Sequence, residues 1–433
     1  MANRSQFTIT NSQFTIIWRF LYTVIFYLLV PIILLRLLWR GVSAPAYWQR
    51  WRERFGFLKA KPDKPCVWIH AVSMGEVQAA TPLIQALRTS DPNQSILVTT
   101  MTPTGSQRVR EVFGDSVWHV YLPYDLPGAV ARFLDCVQPR LLILMETELW
   151  PNLLYACRRK VIPVILANAR LSARSAAGYQ RIAPLVREML SSVLVAAQTE
   201  VDAKRFIDLG IPPTKIHVTG SIKFDAQLPK DSFSQTESLR HQWGKERPVW
   251  IAASTHEGEE DAVLDAFYEL KQEFIELVLV LVPRHPERFN RVAAKCRRRG
   301  FITVRRSEGN VDFQTEIYFG DTMGELPKLY AACDIAFVGG SLVPIGGHNL
   351  LEPAGLGLPI IMGPHVFECA EISRQLLEAQ AAQQINNAAQ LAPAVKMYLS
   401  DATLKKQTGE SGRLFVQKNQ GALERLLKLI VNC

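Results

Sequence analysis

The sequence predicts an α/β protein made of two doubly wound domains that face each other, carried behind one apolar N-terminal helix. Three observations predict it. From residue 65 onward, short apolar runs alternate with stretches of helix length, the pattern of parallel strands covered on both faces by crossover helices. The pattern stops at a polar, turn-rich stretch before residue 248 and then restarts. The restart echoes the first opening: Val67-Trp68-Ile69 returns as Val249-Trp250-Ile251, and Ser73-Met74-Gly75-Glu76 as Ser254-Thr255-His256-Glu257. The 433 residues leave room for two to three domains of about 100–200 residues each.

At the N-terminus, residues 20–35 read FLYTVIFYLLVPIILL, without a charge, between Arg19 and Arg36. Counted from 16 to 38, with both arginines snorkelling, the segment reaches the roughly 20 apolar residues that cross a bilayer. A cleaved signal peptide is the alternative, with Val42-Ser43-Ala44 as its small-residue site. Pro45 after such a cut, and Arg36 and Arg40 ahead of it, favour an uncleaved anchor. A hairpin bent at Pro31 is a third arrangement. Basic residues gather behind the segment (Arg36, Arg40, Arg50, Arg52, Arg54, Lys59, Lys61), with only Arg4 and Arg19 before it. That bias puts the long C-terminal part in the cytoplasm, anchored to a membrane. Residues 46–61, AYWQRWRERFGFLKAK, interleave Trp48, Trp51, Phe55 and Phe57 with these bases, the composition of a membrane-surface segment; a solvated basic linker is the plainer reading.

The expected boundaries are therefore 1–40 for the anchor, 41–64 for the surface segment, 65–225 for the first domain, 226–248 for a linker and 249–433 for the second domain. Strands are expected at 66–72, 95–100, 118–121, 141–145, 161–167 and 194–197. In the second domain they are expected at 249–253, 277–282, 302–304, 317–319, 335–338 and 359–362. Ligands of such sheets sit beyond the carboxyl ends of the strands, so facing domains would share one cleft.

Composition narrows the partners. Lys and Arg number 49 against 40 Asp and Glu, a net charge of +9, which suits an anionic ligand or surface. The bases do not concentrate on one helix, which argues against nucleic acid. Seven scattered cysteines without a C-x-x-C pair fit a reducing compartment and no zinc site. The sequence has no D-x-D, H-E-x-x-H, Walker lysine or nucleophile elbow, so neither a metal nor a cofactor is expected.

Several residues at expected strand ends could carry chemistry. Ser73-x-x-Glu76 fits a helix capping box, and the turn that carries it would face the cleft. Glu146 and Glu148 follow an apolar run; a helix start explains Glu148 better than Glu146. Arg170 and Arg174, in NARLSARS, suit anionic groups of an acceptor, or a solvated loop. Arg284 and His285 follow VLVLVP, where a guanidinium can pair with phosphate in bidentate fashion. Met323 and Gly324 precede a helix and offer backbone groups to a base edge. Gly346 and Gly347 lead through His348 and Asn349 into a helix expected over 350–354; such a turn presents bare N–H groups to phosphate. Glu352, in that helix, can accept ribose hydroxyls, as a glutamate does in sugar-nucleotide transferases of the GT-B type.

Together these blocks resemble one family. WIHAVSMGE, ETELWPN, ANARLS, TGSIKFD, AASTHEGEE, PRHPERF and GGHNLLEPAGLGLPIIMGPH are similar, in order, to the 3-deoxy-D-manno-octulosonic acid (Kdo) transferases of lipopolysaccharide assembly. The resemblance implies a GT-B fold of two facing Rossmann-like domains. It also implies inverting, metal-independent transfer of Kdo from CMP-Kdo to a lipid A precursor (lipid IVA) at the cytoplasmic membrane face. Carried over, Glu76 is the catalytic base and Glu148 a second acidic residue on the acceptor side. Arg284, Met323, Gly324, Asn349 and Glu352 hold the CMP moiety. Two alternatives stay open: a sugar-nucleotide epimerase of the same fold, and a non-catalytic lipid-binding relative. For the base to act, Glu76 is expected to turn away from the cap and leave it to Ser73.

Overall fold

The structure, a computed structural model, describes residues 11–59, 64–225, 232–309 and 311–431. It divides into two compact units, Met1–Ala226 with Gln420–Cys433, and Gln227–Asn419.

In the first unit a long helix, α1 (Asn11–Ser43), precedes seven strands: β1 (Val67–His70), β2 (Ile96–Thr100), β3 (Trp118–Tyr121), β4 (Leu141–Met145), β5 (Val164–Ala169), β6 (Val193–Ala197) and β7 (Ile216–Val218). They form one parallel sheet in the order β3-β2-β1-β4-β5-β6-β7. The crossover helices include α2 (Met74–Ser90), α3 (Pro103–Phe113), α4 (Pro127–Val137) and α5 (Pro151–Arg159). Central strands are buried along their whole length, which is why their sequences are continuous apolar runs rather than alternating ones. One core layer gathers Trp68, Phe133, Leu142 and Leu166, and the other Ile69, Leu83, Ile143 and Ile165.

The second unit repeats the plan. Its strands are β8 (Val249–Thr255), β9 (Val278–Pro283), β10 (Thr303–Arg305), β11 (Ile317–Phe319), β12 (Ile335–Val338), β13 (Ile360–Met362) and β14 (Ala382–Gln384). They pair in parallel in the order β10-β11-β9-β8-β12-β13-β14. All twelve strands expected from the sequence are present within a few residues of their expected ends. The edge strands β7 and β14 carry three residues each and little apolar signal, so the sequence hid them.

Four expectations need correction. Residues 232–243, assigned to a linker, form the helix Ser232–Trp243. Its Leu239 and Trp243 enter the core of the second unit, with the Trp243 ring 5.0 Å from that of Tyr318. The last helix, Ala422–Val431, belongs to the first unit: Ala422, Leu426 and Ile430 pack with Val67 and Ile69. The Asp225 carboxylate holds it there by accepting the N–H groups of Gly421 (2.6 Å) and Leu423 (2.7 Å). Pro31 does not bend the apolar segment, because α1 runs unbroken through it. Finally, the aromatic basic segment is only half a surface. Trp48 and Phe57 are exposed, but Trp51 and Phe55 pack beside Tyr124, and Arg54 is buried.

Candidate active site

In the first unit the chemistry gathers at the carboxyl ends of β1 and β4. Ser73 caps α2, its Oγ accepting the Glu76 N–H. The Glu76 carboxylate does not leave the turn, contrary to expectation. Its Oε2 accepts the Val72 N–H at 2.8 Å and its Oε1 the Ser73 hydroxyl at 3.2 Å. The first bond lies one residue upstream of the reciprocal bond of a capping box. Each carboxylate oxygen has two lone pairs, so both retain capacity to accept a further proton.

Burial, with the nearby negative charge of Glu146 adding to it, lifts the Glu76 pKa from 4.5 to about 7; the Val72 and Ser73 bonds and Lys223 oppose the rise. Glu148 is lifted to about 7 as well, by burial first and then by Glu76 and Glu146, while the Trp150 side chain opposes it. Three carboxylates thus share one corner. Glu146 stands there in a left-handed backbone conformation, φ 57°, which a residue with a side chain adopts at a cost. It is ion-paired with Lys223 at 3.3 Å. Sequence reasoning quoted the TGSIKFD block without assigning Lys223; no local pattern announces that it lies against Glu146.

Asp125, also missed, shapes the start of α5 just after this corner, accepting the N–H groups of Asn152 (2.9 Å) and Leu153 (2.8 Å). Of the two acceptor-side arginines, Arg170 lies close to the corner, since its carbonyl accepts the Thr147 hydroxyl. Arg174 is exposed on the helix Ala173–Gln180, and neither guanidinium makes an ion pair among the described residues.

In the second unit the equivalent strand ends carry a guanidinium and three imidazoles. Arg284 follows β9, its N–H bonded to the Thr255 carbonyl at 3.0 Å. Beside it stand His285, His256 and His348. The His256 and His348 rings stack with centroids 5.1 Å apart and Nε2 atoms 2.8 Å apart, so one ring donates and the other accepts. The His285 ring lies edge-on to His256 at 5.2 Å. Burial, then His256, Arg284 and His285, push His348 down to about 4, and His256 is lowered by burial, His285 and Arg288. Neither His256 nor His348 was assigned a role from sequence. Gly340, φ 68°, packs against His348 so closely that a Cβ there would lie 3.0 Å from the ring, a contact that no sequence pattern announces.

The glycine turn differs from expectation. The N–H groups of Gly346 and Gly347 both bond the Gly340 carbonyl, at 3.0 and 2.8 Å, so neither is bare for phosphate. The helix that follows, Leu351–Gly355, is only five residues long, and Asn349 Oδ1 caps it by accepting the Leu351 N–H. Asn349 Nδ2 donates to Glu352 at 2.9 Å, orienting a carboxylate that burial raises in pKa. The turn itself hangs on Glu259, which the sequence did not single out. This buried carboxylate accepts four backbone N–H groups, from His256, Gly340, Ser341 and Leu342, at 2.7–3.0 Å. Met323 and Gly324 stand on a separate exposed turn; Tyr330, in the helix after them, lies beside Glu352.

Two parallel seven-stranded sheets, with carboxylates at the strand ends of one unit and Arg284, three histidines and Glu352 in the other, make this a protein of the GT-B-like fold class. A solved UDP-GlcNAc 2-epimerase of Neisseria meningitidis has this fold (TM-score 0.56, 12% identity, 86% of this chain and 100% of that one), and at that identity the likeness shows the fold alone. A family model described as 3-deoxy-D-manno-octulosonic-acid transferase (kdotransferase) matches residues 49–226. The 3-deoxy-D-manno-octulosonic acid transferase of Haemophilus influenzae is 45% identical over 418 residues, covering 95% of this chain and 98% of that one. That of Bordetella pertussis is 36% identical over 426 residues, covering 94% and 98%. The chain belongs to the Kdo transferase family, which sets aside the epimerase and the non-catalytic relative.

Proposed function

We propose that the protein transfers Kdo from CMP-Kdo to a hydroxyl of a lipid A precursor, lipid IVA, at the cytoplasmic face of the inner membrane, with inversion and without a metal, and that Glu76 is the general base. The observation that carries this reading is the Glu76 carboxylate, fixed at the end of β1 with its pKa near 7. A base so poised is half ionised at neutral pH and strong enough to take a hydroxyl proton.

In this mechanism Glu76 removes the proton as the acceptor oxygen attacks the anomeric carbon of Kdo. The bond from that carbon to the phosphate oxygen breaks on the opposite side, and CMP departs as a phosphate monoester. Its growing charge is met by Arg284 with His256 and His348, preorganised around one another before substrate arrives. Glu352, aimed by Asn349, accepts the ribose hydroxyls, and Met323 and Gly324 border the base. Lys223 limits the repulsion among Glu76, Glu146 and Glu148. Arg170 and Arg174, free of ion pairs among the described residues, suit the acceptor's phosphates. The apolar α1 and the net charge of +9 suit an anionic lipid surface.

The test is to incubate the full chain with CMP-Kdo and lipid IVA and follow the lipid by mass spectrometry. A product heavier by Kdo is expected, and absence of any glycolipid product refutes the reading. A folded Glu76→Ala variant with near wild-type turnover would refute the assignment of the base alone.

A further inference from the structure

Between residues 19 and 39 the long helix α1 has two stripes, one packed and one exposed. Along one, Arg19, Tyr22, Thr23, Phe26, Val30, Ile33 and Leu37 meet the first unit. The Arg19 guanidinium lies 3.2 Å from the Tyr155 ring centroid. Tyr22 faces the Asp125 carboxylate, and the Thr23 hydroxyl donates to Asn152 Oδ1 at 3.2 Å. Phe26, Val30, Ile33 and Leu37 pack with Tyr124, Leu126 and Ala129. From Arg19 to Leu37 this contact extends for about 27 Å at 1.5 Å per residue, close to the roughly 30 Å of bilayer hydrocarbon. Along the other stripe Phe20, Leu28, Leu35 and Trp39 are 65–76% exposed among the described residues.

We propose that α1 lies in the plane of the membrane as a monotopic anchor, its outward stripe sunk in one leaflet of an anionic phospholipid bilayer, and does not cross it. The proposal rests on the membrane attachment read above and settles its geometry. A crossing helix that kept its packed stripe would draw the exposed charges beside it, Asp135, Arg159 and Lys160, into hydrocarbon, where they lose their water. A crossing helix that shed the stripe would bare the apolar surface around Tyr124 and Leu126 and unpair Thr23 from Asn152. Lying flat, the helix keeps every one of these contacts and submerges only its apolar stripe, as interfacial helices do.

Neighbouring charges agree. Arg36, Arg40, Arg52 and Arg159 are exposed around the helix, where anionic headgroups would meet them. The Trp48 indole N–H donates to the Leu38 carbonyl at 3.0 Å, folding the chain back against the end of α1. The helix is also tied to the catalytic corner, since Asn152 lies four residues beyond Glu148. A lipid acceptor in the same leaflet would present its headgroup to that end of the sheet.

The full chain, carrying an N-terminal epitope tag, is reconstituted into vesicles of phosphatidylethanolamine and phosphatidylglycerol and treated with external protease. We expect it to float with the vesicles, and expect the tag to be removed from every molecule whose outward-facing catalytic units are digested. A tag protected until detergent is added overturns the in-plane geometry while leaving membrane attachment intact. A protein that does not float with the vesicles overturns the attachment itself and this inference with it. As an independent reading, the Thr23→Cys/Asn152→Cys pair should form a disulfide on vesicles under mild oxidation, which neither single variant does. A floating double variant that does not cross-link would again exclude the packed, in-plane helix.

Discussion

Replacing Glu76 by glutamine keeps the shape of the side chain and its bond from the Val72 N–H, and it removes one titration. In the wild type, burial and Glu146 hold the folded-state pKa at about 7, against 4.5 for a free side chain. Between these two values the folded chain binds more protons than the unfolded one, so stability falls as pH rises from about 4.5 to about 7. The full difference corresponds to roughly 3 kcal/mol. Water reaches part of the carboxylate and screens it, leaving about 1 kcal/mol. The glutamine variant has no such loss. It should therefore be more stable than the wild type by about 1 kcal/mol at pH 8, and show no such advantage at pH 4.5. Denaturant unfolding of both proteins at the two pH values measures this directly. Turnover moves the other way: without the base, kcat should fall about 10²–10⁴-fold. Wild-type turnover should rise about tenfold per pH unit below pH 7 and level off above it. A variant that keeps wild-type turnover at pH 8, or whose stability advantage does not grow between pH 4.5 and pH 8, refutes the reasoning.

Three further outcomes follow from the same geometry. Lys223→Met removes the positive charge that opposes the rise in the Glu76 pKa, so the acid limb of the pH–rate profile should move up by about half a unit to one unit; a downward move would contradict the arrangement. Glu259→Gln leaves the four N–H groups of His256, Gly340, Ser341 and Leu342 with a single acceptor oxygen, and should destabilise the protein by on the order of 3 kcal/mol in denaturant unfolding and abolish CMP binding in calorimetry. A phosphate placed beside the His256–His348 pair should raise its affinity for protons, because both rings are held below their ordinary pKa. CMP binding near pH 6 is then accompanied by proton uptake, read from binding heats in buffers of different ionisation enthalpy. The uptake should be lost in His348→Gln and should fade above pH 8.

The architecture was legible because parallel strands buried on both faces leave continuous apolar runs, and the repeat of Val-Trp-Ile at 67 and 249 marked two such sheets. Arg284, Asn349 and Glu352 stand at the positions expected of them, each within a few residues of a strand end or helix start, where backbone geometry makes a polar residue informative. Glu146 and Glu148 were both visible as carboxylates after an apolar run, and the structure adds the left-handed backbone of Glu146, which no pattern announces. Lys223 and Glu259 act across 77 and 81 residues of chain, on Glu146 and on Gly340, and local spacing carries no record of such partners.

The sequence by itself determined the two doubly wound sheets, the apolar helix and the acidic and basic strand ends, because each is written in local periodicity and residue chemistry. Only the tertiary structure decided that the last helix returns to the first unit, that Glu76 stays within the turn it helps to cap with its pKa raised, and that α1 lies along the domain for most of its length. Those outcomes depend on which buried surfaces meet and which carboxylates share one desolvated corner. Both are properties of packing between distant segments, which no single stretch of sequence contains.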